Sequence, residues 1–320
     1  MNETNEKIYD GFWERQGFSP TVVNFIALAI LFLLYQVAGG AIAFVVAGAS
    51  VTEENVGTHR LLQTLFQFLF LALPVTLLVG LHTRKFSPSD SENRAFLALH
   101  QPFNKEAALW GALGAMALNP FLSYIGDLQF VVMSDVLGLK EETAEWKKLF
   151  DDAIEKLASA DSVGEFVVVA LALALTPAIC EELTFRGFVQ RNFARAMSPA
   201  KATILTGTIF GLYHLNPVQT LPLIAIGTYI SHLRQTSGAL WTCVLAHFAF
   251  NFFSVSGIFI LNHPSWFGLS EAFAKTIKAS EPNLSSPVAL TGAAISLALF
   301  ILIFGRYRSA LKRQVSTANA

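Results

Sequence analysis

The sequence predicts an all-α protein that crosses a membrane repeatedly, and three observations carry that prediction. Hydrophobic residues make up 53% of the 320-residue chain and charged residues only 14%, with a mean hydropathy of +0.49, well short of the charge content of a soluble globular chain. The apolar residues gather in runs long enough to cross about 30 Å of hydrocarbon, which takes roughly 20 helical residues. Alternating ten-residue segments separated by turns, the pattern of a membrane β-barrel, are missing from the sequence.

In chain order the runs lie near 21–47, 61–82, 107–133, 163–190, 201–216, 218–235, 239–262 and 288–306. They predict a polytopic bundle of about eight helices forming one integral membrane domain over 1–320. Only Asn216 and Pro217 separate the fifth run from the sixth. Some twenty mixed polar residues precede the first run, which is longer than the h-region of about 7–15 residues in a cleavable signal, so the helices themselves direct insertion. With the N-terminus cytoplasmic, roughly two thirds of the 22 Lys and Arg fall on the inner side, from Lys7 and Arg15 through Arg84, Lys85, Arg186 and Arg191 to Arg306, Arg308, Lys312 and Arg313. The positive-inside bias thus predicts both termini in the cytoplasm and a multi-pass protein of the inner (plasma) membrane.

Between the third and fourth runs lies the longest polar insert, 135–162. It sets Trp146, Leu149, Phe150, Ile154 and Leu157 at helical spacing opposite charged residues, which predicts an amphipathic extramembrane helix on the outer membrane face. No period of about 20–50 residues repeats. Cys180 and Cys243 both sit inside apolar runs and read as small buried hydrophobes rather than a disulfide framework. A net charge of -1 offers no basic field, so nucleic acid is excluded as a partner.

Ionisable side chains inside membrane helices are costly, about 2.5–3.5 kcal/mol at the centre, and usually face a protein interior or a wet cavity. Here most of them fall in three short motifs: "EELTFR" with Glu181, Glu182 and Arg186; "FGLYH" with Phe210 and His214; "HFAFN" with His247 and Asn251. Neighbours on a helix differ by about 100° in direction, so Glu181 and Glu182 serve different partners. Glu182 and Arg186 stand at i and i+4 in the favourable order, leaving Glu181 the freer carboxylate. Pro177, four residues before Glu181, frees the carbonyl of Leu173 and kinks the helix. Counting the helical rise from the cytoplasmic ends puts Glu181, His214, His247 and Asn251 at a shared depth of about 9–17 Å. His232, Arg234 and Glu165 read as interfacial residues, and Asp127 fits either class.

A carboxylate with a histidine can hold a water and take its proton as it attacks a carbonyl. A second histidine and an asparagine amide can donate to the oxygen that turns negative. That set, Glu181, His214, His247 and Asn251, predicts amide hydrolysis within the bilayer with no cofactor. The same Glu181, His214 and His247 could instead ligate Zn²⁺ with one position open for water.

The three motifs, in this order and on separate helices, resemble EExxxR, FxxxH and HxxxN of the CPBP intramembrane proteases, which include CAAX prenyl endopeptidases and the Abi or bacteriocin-immunity proteins. The resemblance covers 163–256. It implies an intramembrane endopeptidase core over that stretch, with Glu181 and His214 activating water, His247 and Asn251 forming the oxyanion hole, Glu182 and Arg186 in support, and a membrane-associated peptide or protein as substrate. Within the same family a non-catalytic scaffold or self-immunity protein would retain the motifs for stability or binding. A proton-coupled transporter using Glu and His as a relay is a third reading, weakened by the lack of paired broken helices. HExxH is absent, while "SVSG" (Ser254–Gly257) and "YIGD" (Tyr124–Asp127) only approach the rhomboid and aspartyl-protease motifs.

Overall fold

Ser19 accepts a hydrogen bond from the Val22 N–H, with Pro20 in the first turn, and this cap starts the first long helix, α1, Pro20–Ala47. The computed structural model describes residues 11–101, 103–278 and 284–318. Lys7, counted above with the cytoplasmic flank, lies outside them. The described residues are helical with no strand, as the composition predicts.

After α1 come α2, Val56–Thr83, and α3, Lys105–Val136, the latter capped by Asn104 on the Ala107 N–H. The insert forms α4, Lys140–Ala158, and α5 spans Val163–Ala196 after the Ser162 cap. Then follow α6, Pro199–Tyr213, and α7, Thr220–Ser237; α8, Leu240–Asn262; α9, Glu271–Lys278; and α10, Pro287–Ala318. Eight membrane-length apolar runs thus become eight helices, but among the described residues only six are long and apolar enough to cross a membrane. The exceptions are α6 and α7. At about 1.5 Å per residue α6 rises roughly 22 Å, short of the ~30 Å core, and α7 ends in the polar stretch from His232 to Ser237.

The two short helices compensate by close packing. A Cβ on Gly207 would stand 2.3 Å from the Thr228 Oγ1, and one on Gly211 2.5 Å from the Ile224 side chain. The small-xxx-small spacing therefore lets the α6 and α7 backbones touch. Gln129 of α3 pins the loop between them, donating to the Pro217 carbonyl and accepting from the Leu221 N–H. Inside the bundle, α8 packs on α3, α5 and α7, and the Gln67–Ala72 stretch of α2 lies against Thr176–Glu182 of α5. Phe185, Phe188, Phe193, Phe210, Ile230 and Leu233 are buried in the common core.

Glu165 is more than an interfacial residue. Arg60, 5% exposed, pairs with it at 2.7 Å and also donates to the carbonyls of Lys156, Leu157 and Ser159. One guanidinium thus caps the end of α4 and ties it to the first turn of α5. Leu149 and Ile154 of α4 remain exposed.

Candidate active site

Pro177 cannot donate a backbone hydrogen bond, and α5 absorbs the break with π-helical turns on either side, Leu171–Leu175 and Leu183–Val189. The Leu173 carbonyl freed by Pro177 is taken up from α8, where the Asn251 Nδ2 donates to it at 3.3 Å. The kink and one of the expected site residues are thus parts of one joint.

α5 sends its two glutamates into different interfaces. Glu182 is fully buried, and its Oε1 accepts from the Arg186 Nη1 at 2.7 Å and the His247 Nδ1 at 2.8 Å. Arg186, equally buried, spends its other donors on α7: Nη2 to the Gly227 carbonyl at 2.7 Å and Nε to the Ser231 Oγ at 3.3 Å. Its guanidinium lies 4.5 Å from the Phe210 ring centroid, a cation–π contact. A buried cation in this setting needs each of these partners.

Glu181 faces a cavity of about 420 Å³ that also receives His214, His247 and Asn251. Its Oε1 accepts from the Gln67 Nε2 at 3.1 Å, whereas its buried Oε2 has no hydrogen-bond partner among the described residues. Two imidazole nitrogens approach that oxygen: His214 Nε2 at 3.9 Å and His247 Nε2 at 4.0 Å.

The outer nitrogens decide what the inner ones can do. His214 Nδ1 sits 2.8 Å from the Phe210 carbonyl, which can only accept, so the proton lies on Nδ1 and the neutral ring turns a bare Nε2 to the cavity. His247 Nδ1 likewise donates to Glu182. Its Nε2 therefore donates only when the ring carries both protons. The 201–216 run predicts His214 inside a helix, and the structure corrects this. His214 closes α6, and the chain reverses at Leu215 with a left-handed φ of 52°. The carbonyl of Tyr213, orphaned by that ending, is met by the Gln36 Nε2 at 2.7 Å.

The zinc reading can be tested against these separations. Ligands about 2.0–2.1 Å from a tetrahedral Zn²⁺ stand roughly 3.4 Å apart, closer than Glu181 comes to either histidine, and among the described residues no three His, Cys, Asp or Glu side chains are grouped so that they could hold a metal ion. Two acceptors sharing one water, by contrast, stand about 4.4 Å apart. The 3.9 and 4.0 Å separations fall between these two spacings.

Sequence reasoning missed Gln67, although a carboxamide within the apolar 61–82 run is a signal of the same kind as the glutamates. It also missed Gly227 and Ser231, whose role as acceptors for Arg186 has no signature in one sequence. His232 and Arg234 stay outside the cavity, Arg234 donating to the Gly238 carbonyl at 2.8 Å. Both cysteines are buried and free.

Compared with known families, residues 163–253 match the family described as Type II CAAX prenyl endopeptidase Rce1-like, a stretch that holds all three motifs. No curated protein and no solved structure matches the chain.

Proposed function

Given that residues 163–253 carry an Rce1-like type II CAAX prenyl endopeptidase domain in a multi-pass membrane protein, we propose that the chain is an intramembrane endopeptidase with a glutamate-activated water. The observation that carries the reading is the unpartnered Glu181 Oε2, facing the bare Nε2 of His214 across 3.9 Å. A water bonded to both acceptors has its oxygen lone pair free to attack a peptide carbonyl, and Glu181 takes the proton released as the C–O bond forms.

The carbonyl oxygen turns negative in that step. Protonated His247 donates to it through Nε2, and Asn251 through the Nδ2 hydrogen not spent on Leu173. When the C–N bond breaks, the proton held by Glu181 passes to the departing amine, leaving a carboxylic acid and an amine. Glu182 and Arg186 act through His247 by holding its ring in place. No metal takes part in this sequence. The substrate is a membrane-associated peptide or protein, met in the inner membrane with both termini of the enzyme cytoplasmic.

The test compares membrane proteomes of cells carrying the wild type or Glu181→Gln. New peptide termini present only with the wild type are expected. Their persistence in a well-folded Glu181→Gln protein would refute the mechanism and favour a scaffold. Metal analysis of the active purified protein separates the two chemistries: less than stoichiometric zinc and cleavage indifferent to a chelator are expected.

A further inference from the structure

We propose that a groove between α6, α7 and α10, away from the catalytic cavity, binds a phospholipid with an anionic headgroup. The groove holds about 480 Å³ and is walled by Ile204 of α6, Tyr229 of α7, and Phe300 and Phe304 of α10. Phe300 and Phe304 stack with centroids 5.7 Å apart, and Tyr229 meets Phe300 edge-on at 5.2 Å. Such a rigid aromatic wall offers an acyl chain continuous dispersion contact.

The polar lining gathers at one end, where α6 begins and α7 finishes. Thr203, His232 and Gln235 line the groove there. The Tyr307 hydroxyl bonds the Thr236 Oγ1 at 2.6 Å, which sets the register of α10 against the end of α7. Arg308, one helical turn beyond Phe304, therefore arrives at this end and lies within electrostatic reach of His232. Lys201, a turn before Ile204, flanks it from α6. Both cations are exposed.

Two observations point to a ligand here. The stretches 199–237 and 287–314, which build the groove, contain no Asp or Glu, so the cationic end lacks a carboxylate of its own; Glu106, at the head of α3, is held by Arg313. Thr203, 6% exposed, is part of the groove's lining, and its buried Oγ1 has no partner among the described residues, which is uncommon for a buried polar atom. Apolar walls ending in unbalanced positive charge complement a lipid whose headgroup carries a phosphate. The neighbouring face of α7 supplies Gly227 and Ser231 to Arg186, so the lipid would lie beside the helix that holds the catalytic supports.

Native mass spectrometry of the full-length protein in neutral detergent, titrated with phosphatidylglycerol or phosphatidylcholine, tests this without reference to cleavage. One phosphatidylglycerol should be retained at about tenfold lower concentration than phosphatidylcholine. The Lys201→Gln/Arg308→Gln pair should erase that preference, and Ile204→Trp, which fills the groove and leaves its charges, should release the lipid. Arg306→Gln/Lys105→Gln removes the same charge elsewhere and should change nothing. Equal retention of both lipids, an equal loss in the control pair, or retention in Ile204→Trp overturns the proposal. So does competition by free glycerol 3-phosphate, which would make the site one for a soluble anion, or a two-chain species that Ile204→Trp splits, which would give the groove to a second copy.

Discussion

Glu181 and Glu182 are neighbours in the chain, yet the interface between α5 and α8 and the one between α5 and α2 treat them differently. Toward α8 and α7, Glu182 meets Arg186 and His247 at 2.7 and 2.8 Å with no exposed surface. Toward α2, Glu181 lines the cavity, meets one neutral amide, Gln67, and keeps one buried oxygen without a partner among the described residues. A buried carboxylate with two strong donors is fixed in place. One with a single neutral donor is oriented but not tied to a cation. The difference arises from the direction of each side chain around the helix and from what the next helix presents, not from residue type.

Glu181→Gln breaks the comparison most severely. It keeps shape and removes the base, so kcat should fall by about 10²–10⁴-fold, with the unfolding midpoint in detergent unchanged. Arg186→Met acts on the other interface and should reverse the pattern. Removing one member of a buried ion pair costs about 3–5 kcal/mol, which equilibrium unfolding would register, and adding Glu182→Gln should recover part of the loss by taking away the stranded charge. A Glu181 variant that unfolds, or an Arg186 variant of full stability, would mean that the two interfaces do not divide the labour in this way. Asn251→Leu tests the joint between them: loss of one oxyanion donor should lower kcat by about 10²–10³-fold, and loss of the bond to the Leu173 carbonyl should cost about 1–3 kcal/mol.

How much of this could be read from the sequence depends on the range of the interaction. The long helices announce themselves through apolar run length, and Glu182 with Arg186 through i, i+4 spacing. Pro177 announces the freed Leu173 carbonyl, but not that Asn251, 78 positions along, would bond it. The early end of α6 was hidden because "GLYHL" is as apolar as its neighbours, and the reversal depends on a left-handed Leu215 that no propensity favours. The tautomers of both histidines were likewise invisible, since each is set by a partner at Nδ1, Phe210 for one and Glu182 for the other.

Gln67 gives the finest test, because it acts on the open side of the comparison through a single 3.1 Å bond. Gln67→Leu removes the amide that directs Glu181 and should lower kcat by about tenfold, near the ~1.4 kcal/mol of one oriented hydrogen bond, with KM and stability little changed. Loss of stability in proportion to activity would make Gln67 a packing residue only. Gln67→Glu separates the two outcomes further. A carboxylate of nearly the same size cannot donate to Glu181 and sets like charge beside it, so kcat should fall below that of Gln67→Leu. A purely structural residue would instead tolerate this near-isosteric change better than Leu.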